Sequence, residues 1–418
     1  MPSQAGASRI VMARKRTITA AAIALLAAGA MPTPIRAADV QPVRIGVLTD
    51  MSGMYRDIMG PGSVLAARMA VEDFGGRVLD RPIEVISGDH QAKADVGAAI
   101  ARNWFDNGGA DVVVDVAQSA VALAVQELAR TRNKIVIHGV TGSPAITQQA
   151  CAATAFSWSL NAYAISAPLP KPLIERGLDT FFFLSADYSF GKAMEDAAAG
   201  AIKAAGGKVL GSVRFPQNNP DFSSFLLQAV ASKAKVIWLI SAAEDTTNAL
   251  KQAKEFGVAE GGQHIVVPLT YITNVHALGI ANVQGLTFAT PFYWDRTDKT
   301  RAWSERFFVQ HHAMPTMDQA AVYSGTLHYL QAVAAARTLD GLKVADEIRK
   351  LPVNDMYVEN GFVRADGWLM HPFYMASIKA SGEVRKPWDY YTIEKVIPAS
   401  EAAQPLSESQ CPLVAQSQ

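Results

Sequence analysis

From Val43 onward, short apolar runs alternate with longer segments of helical period, a pattern suited to a parallel sheet covered by helices. Strands are predicted at Val43 to Leu48, Ile83 to Ser87, Asp111 to Val116 and Lys134 to His138, with helices starting near Gly62, Ala92 and Ser119. A second series follows, with strands at Thr180 to Ser185, Lys208 to Arg214, Lys235 to Ile240 and His264 to Pro268 and helices starting near Gly191, Phe222 and Asp245. Two like series predict an α/β protein of two Rossmann-like lobes, each with a parallel sheet. Individual residues echo too: Asp73-Phe74-Gly75-Gly76-Arg77-Val78-Leu79 and Ala204-Ala205-Gly206-Gly207-Lys208-Val209-Leu210 each close a first helix with glycines suited to a C-cap.

Past Gly285 no third series begins. A strand at Leu286 to Thr290, two long helices within Thr300 to Thr338, a short one within Leu342 to Lys350 and strands near Phe373 to Lys379 are too few for a third domain. They are expected to complete the first two lobes, so that several chain crossings form a hinge over a cleft. The expected N-terminal lobe is 42–159 with 291–368, and the C-terminal lobe 160–290 with 369–397. Residues 398–418, rich in proline and serine, read as an extended C-terminal strap.

The first 38 residues carry Arg9, Arg14, Lys15, Arg16 and Arg36, no acid, an apolar run from Ile18 to Ala30 and small residues at Ala37 and Ala38. That is the pattern of a secretory signal peptide over 1–38, and a buried helix is disfavoured because Met31-Pro32-Thr33-Pro34 would break it. The run falls short of the ~20 apolar residues that span a bilayer, and no cysteine stands at the cleavage site to take a lipid. A soluble protein exported to the periplasm is expected. The chain balances 38 basic against 38 acidic side chains, so losing five basic residues with the leader leaves it net acidic. A nucleic-acid partner is therefore not expected. Export also favours oxidation of the only two cysteines, Cys151 and Cys411, into a disulfide that pins the tail near the loop after Pro144, with two free thiols as the alternative.

Catalytic signatures are missing: no G-x-S-x-G, H-E-x-x-H, P-loop, C-x-x-C, or G-x-G-x-x-G after a strand. No enzyme, cofactor or metal site is expected. His311 and His312 are neighbours on a helix, where adjacent side chains diverge, so they read as solvent-facing.

Loops at the carboxyl ends of strands are where open α/β sheets bind ligands. Ser119, after Ala117-Gln118, stands where it would cap a helix, and Gly139-Val140-Thr141-Gly142-Ser143-Pro144 places a capping serine before a proline. Two helix N-termini with the Ser119 and Thr141 hydroxyls would receive a carboxylate without lysine or arginine, simple capping being the alternative. The facing lobe offers Ala186-Asp187-Tyr188-Ser189-Phe190-Gly191, Ser241-Ala242-Ala243-Glu244-Asp245 and Leu269-Thr270-Tyr271-Ile272-Thr273-Asn274. Tyr188, Phe190 and Tyr271 would cover an apolar ligand body, or pack as ordinary core.

The Ser119 loop, Ala186-Asp187-Tyr188-Ser189-Phe190-Gly191, the opening Val43-Arg44-Ile45-Gly46-Val47-Leu48-Thr49-Asp50-Met51-Ser52-Gly53 and Asp221-Phe222-Ser223-Ser224 resemble the periplasmic leucine-isoleucine-valine-binding protein family, type I solute-binding proteins serving ABC importers. The resemblance covers most of the mature chain. It implies no catalysis, two lobes joined by three crossovers, ligand capture by hinge closing, and importer permease subunits as partners; a monomer is expected. It matches Ser119 to the serine that binds the ligand carboxylate, Val140 and Thr141 to the loop whose backbone does the same, and Phe190 to an aromatic pocket residue. Gln118 beside Ser119 joins the expected site. The chain departs from amino-acid binders at Thr270, where they carry an acid against the ligand ammonium, and at Ala242, where they carry a tyrosine. Glu244 and Asp187 are nearby acids able to substitute. Tyr55, Tyr163 and Tyr271 add ring surface, and the family includes binders of aromatic carboxylates from lignin breakdown. The expected ligand is a small carboxylate, aromatic ones included. A hydrophobic amino-acid binder, an extracellular sensor of the same fold and a secreted α/β hydrolase are the competing readings.

Overall fold

The computed structural model describes residues 41–415, so the expected signal peptide, 1–38, lies outside the described residues. The first sheet uses β1 (Val43–Thr49), β2 (Arg77–Val78), β3 (Arg81–Asp89), β4 (Ala110–Asp115), β5 (Ile135–His138) and β6 (Ala155–Ser157) in the order β2-β3-β1-β4-β5-β6. All neighbours run parallel except the β2–β3 hairpin. Its central strands are continuous apolar runs because helices cover both faces: every residue of β4 and β5 is buried, whereas β3 alternates between exposed and half-buried positions. On one face Trp104 lies flat over Gly46 and Gly88, where an added Cβ would come within 2.6 and 3.0 Å of the indole.

The second sheet uses β7 (Thr180–Ala186), β8 (Lys208–Phe215), β9 (Val236–Ile240), β10 (His264–Val266) and β11 (Thr287–Thr290) in parallel. After a small hairpin of β12 (Phe362–Val363) and β13 (Leu369–Met370), β14 (Phe373–Ile378) and β15 (Tyr391–Ile397) join its edge antiparallel, giving β15-β14-β11-β10-β9-β7-β8. The sheet is thus mixed where a parallel one was expected. The change of direction comes at β14, which reaches the edge beside β11 from the first lobe, and β15 follows it back as a hairpin partner.

The echo between the lobes is exact in its hydrogen bonds. Gly75 and Gly76 donate to Glu72 and Val71 carbonyls at 3.0 and 2.9 Å, and Gly206 and Gly207 donate to Lys203 and Ile202 at 3.1 and 2.9 Å. Both are the paired bonds of a Schellman close, with Gly75 at φ 106° and Gly206 at φ 84°.

The chain passes between sheets after β6, after β11 and after β13. Helix Asp298–His311 returns to the first lobe, where Arg306 grips the Asp73 carboxylate at 2.7 and 3.0 Å. Helix Met317–Ala336 begins with a capping box between Thr316 and Gln319, and the Thr316 hydroxyl donates to the Ile58 carbonyl at 2.6 Å. The tail departs from the expected extended strap: it folds into helical turns at Ala399–Ala402, Leu406–Glu408 and Pro412–Ala415, with prolines at their starts. Cys411 is bonded to Cys151 with the Cα atoms 5.6 Å apart. The small strands β2, β6, β12 and β13 and helices Ala162–Ser166 and Pro170–Glu175 are too short to carry a periodic signal.

Candidate functional site

The carboxyl ends of the two sheets face one another across a cleft. From the first lobe, helix Ser119–Thr131 starts at the wall, but Ser119 is its first residue and not its cap. Gln118 caps it, its side-chain oxygen accepting the Val121 N–H at 2.9 Å. That one-residue shift leaves the Ser119 hydroxyl without a hydrogen-bond partner among the described residues. The N–H groups of Ser119 and Ala120 have no acceptor within the helix.

The second expected helix start is a three-residue 3₁₀ turn, Pro144–Ile146, and Ser143 makes no capping bond. Only one α-helix of this lobe therefore ends at the cleft through these loops. The Gly139–Ser143 segment contributes differently. Thr141 is buried and its hydroxyl donates to the Val116 carbonyl, tying this loop to the one before Ser119. Val140 and Gly142 line the cleft, and the N–H groups of residues 140–142 make no hydrogen bond among the described residues.

Three helices start at the opposite wall: Ser189–Ala204 behind Tyr188, Ala243–Glu255 behind Ala242, and Ile272–Leu278 behind Tyr271. Phe190 reaches furthest, its ring against Gly142, where an added Cβ would stand 2.2 Å from Cδ2. Tyr55 closes the side from the first lobe, and its hydroxyl accepts a hydrogen bond from Gln217 Nε2 of the second lobe at 3.3 Å. The remaining space is about 20 Å³, lined by Tyr55, Ser119, Val140, Phe190, Ala242 and Tyr271 together with Ile58, Ala117, Gly142, Leu160, Tyr188 and Leu269. That is room for about one water molecule. The lobes are closed on each other.

No charged side chain lines this space. Acids stand behind it. Asp245 accepts the Asn218 and Asn219 N–H groups at 3.0 and 2.8 Å, and burial raises its carboxyl above the usual range. Asp318, fully buried beside the Tyr271 hydroxyl, is held well above the usual range by desolvation and by nearby Asp115. Asp115 itself is pushed up to about 6 by burial, Thr49 and Ser63 pulling it partly back. Burial raises Tyr55 to about 12, against the lowering effect of the neighbouring Tyr188 hydroxyl. The residues lining the space carry no charge of their own, and the helix N-termini that meet there favour an anion.

The model of the family described as periplasmic binding protein matches residues 42–383. The chain belongs to that family. This binding protein is similar over 89% of its length to a periplasmic binding protein from Burkholderia mallei, with 42% identity, a TM-score of 0.86 and 99% of that chain covered. It is also similar to a branched-chain amino acid ABC transporter periplasmic ligand-binding protein from Burkholderia xenovorans LB400, at 36% identity and a TM-score of 0.81, over 89% of this chain and all of the other. A solute-binding protein of an ABC transporter from R. palustris, solved in complex with benzoate, shares the fold at 18% identity and a TM-score of 0.76, over 86% and 97% of the two chains.

Four expected site residues of the binding protein do not line the cleft space: Gln118 and Thr141, whose side chains bond the backbone as described, and Tyr163 and Thr270. Tyr163, on helix Ala162–Ser166, lines a surface groove of about 980 Å³ with Gln148 and Ala193. Thr270 faces a separate space of about 10 Å³ with Phe292, Trp294 and Met317, its hydroxyl donating to the Val267 carbonyl at 2.8 Å. Glu244 sits at the cleft mouth beside Arg56 and Asn218. Leu160, from the first crossover, Ile58 and Leu269 are wall residues that sequence reasoning missed, because single aliphatic residues in loops carry no signal separating wall from core. Gly142 was visible only as part of a loop. His312 is exposed, whereas His311 is half-buried against the Phe307 ring at 5.0 Å, because it follows that buried residue by four positions on the same helix face.

Proposed function

We propose that this protein is the exported solute-binding component of a branched-chain-amino-acid-type ABC importer, that it works in the periplasm, and that it captures a small carboxylate with an apolar or aromatic body by closing its lobes. The observation that carries the ligand class is the wall itself: unpartnered N–H groups at residues 140–142, the free Ser119 hydroxyl and three facing helix starts, with rings from Tyr55, Tyr188, Phe190 and Tyr271 and no charged side chain. Backbone donors and helix N-termini favour an anion, and the rings supply apolar faces for its body. Thr270 no longer bears on the choice, since its side chain is turned out of the cleft. The benzoate complex of the distant R. palustris protein is consistent with this ligand class for the fold. Among the described residues no helix is long and apolar enough to cross a membrane.

One observation favours a second reading, a hydrophobic amino acid. Asp318 is buried beside the Tyr271 hydroxyl, so a ligand ammonium at that hydroxyl would find an acid behind it. Calorimetry against leucine, isoleucine, valine and a series of benzoate-type acids separates the two. Tighter binding of the acids is expected; tight leucine binding with no response to the acids overturns the carboxylate reading in favour of the second.

A further inference from the structure

The last residues of the chain do more than trail from the second lobe. β15 ends at Ile397, paired with Phe373 inside the second sheet, and helix Ala399–Ala402 packs on helix Ala162–Ser166 of the same lobe. From Gln404 onward the tail makes hydrogen bonds and a disulfide to the first lobe. The Gln404 carbonyl accepts from Arg364 Nη1 at 2.8 Å, and Arg364 is itself held by the buried Asp366 at the hairpin β12–β13, which adds to β6 through Trp368 and Ser157. Gln148, in the first-lobe loop after Pro144, donates to the Gln404 side chain at 3.3 Å and accepts the Gln410 N–H at 2.7 Å. Cys411, almost wholly buried, is bonded to Cys151, next to Ala152 of the first-lobe core. A single residue, Ala403, joins the part fixed to one lobe to the part fixed to the other, and one residue reaches at most ~3.6 Å. Beneath the tail lies the groove of about 980 Å³, walled by Gln404, Glu408 and Gln410 on one side and by helix Ser189–Ala204 on the other.

We propose that this disulfide-closed tail is a fourth tie between the lobes, added to the three chain crossings, and that it limits how far the cleft opens. The hydrogen bonds from Gln148 and Arg364 are partly open to solvent; the covalent bond makes the anchor permanent. A dithiol reductant cleaves it by thiolate attack on one sulfur, passing through a mixed disulfide. The dithiol leaves as its cyclic disulfide, and its two electrons and two protons leave Cys151 and Cys411 as thiols. The cleft would then open wider in a reducing environment.

The test needs no ligand, so its outcome is independent of the ligand assignment. Small-angle scattering on the full mature chain would compare the oxidised protein, the reduced and alkylated protein, the Cys151→Ser/Cys411→Ser double variant, and an oxidised variant with a flexible Gly-Ser insertion of about six residues after Ala403. The last keeps the disulfide and the stability it gives, and lengthens only the tether. A larger radius of gyration and a broader distance distribution are expected for the reduced, double-serine and inserted forms alike, with unchanged far-ultraviolet circular dichroism. If the inserted variant scatters like the oxidised wild type, the disulfide is a staple for the tail and the tether proposal fails. Should the double variant not fold, the inserted variant still decides.

Discussion

Phe190 of the second lobe and Gly142 of the first touch so closely that no side chain fits between them. A Cβ built on Gly142 would lie 2.2 Å from one ring carbon and 2.3 Å from the next. Gly142 has no left-handed backbone, so alanine is conformationally permitted there and its cost is purely one of space across the cleft. Gly142→Ala is expected to leave the melting temperature of the unliganded protein nearly unchanged while weakening ligand binding about tenfold or more, ~1.4 kcal/mol, because the lobes stop short of full closure. Calorimetry with the best acid from the ligand series, together with scattering of the liganded form, checks this; wild-type affinity in the variant would show that the ring simply turns aside.

Ser119→Ala removes a hydroxyl that has no partner among the described residues. Stability is therefore expected to hold, while affinity for a carboxylate ligand falls by roughly 1 to 3 kcal/mol. Paired thermal unfolding and calorimetry separate the two effects. Equal losses in both would make Ser119 a structural residue.

The shift at Asp115 gives a pH dependence with a definite sign. Its carboxyl titrates near the ordinary 3.8 when unfolded and at about 6 when folded. Below that range both states hold the proton; as pH rises through it, the unfolded chain ionises first and folding stability falls, by roughly 3 kcal/mol in all. Asp115→Asn cannot ionise. Its unfolding free energy is expected to lack that fall, so the difference between variant and wild type should grow from pH 4 to pH 6 and then level. A difference that stays flat across this window would falsify the assignment of the shift to Asp115.

How much of this was legible in the sequence depends on the kind of signal. The apolar runs at Val112–Val114 and Ile237–Leu239 are buried on both faces, and such strands cannot be mistaken for amphipathic surface. The glycine pairs at 75–76 and 206–207 marked helix ends because their backbone must turn left-handed. At the site, side-chain types were readable but directions were not. Thr270 and Tyr271 are adjacent in sequence, yet one faces its own strand end and the other the cleft. Ser119 and Gln118 exchanged roles through a one-residue shift in where the helix starts, a difference that capping preferences alone do not resolve. Tyr163 is an aromatic residue near the crossing that faces the groove and not the cleft.

The paired helix closes offer a clean control. Gly75 sits at φ 106° with open space around its Cα, so alanine there meets no clash and pays only for the backbone. Gly75→Ala is expected to cost on the order of 1–2 kcal/mol of stability, with ligand affinity untouched. Chemical denaturation measures it; an effect on binding would mean that this distant helix end is coupled to the cleft.

The wall that faces the ligand space is made of peptide groups, hydroxyls and rings, and none of these changes its charge between acid and mildly alkaline conditions. Tyr55, raised to about 12, keeps its proton throughout. The amides that would attract an anion carry no titrating group, so any change of the cleft's field between pH 5 and pH 8 must come from the second layer, where Asp115 titrates at about 6. Contact with the ligand and response to pH thus fall to successive layers of the same wall, the proton-holding layer one residue behind the touching one.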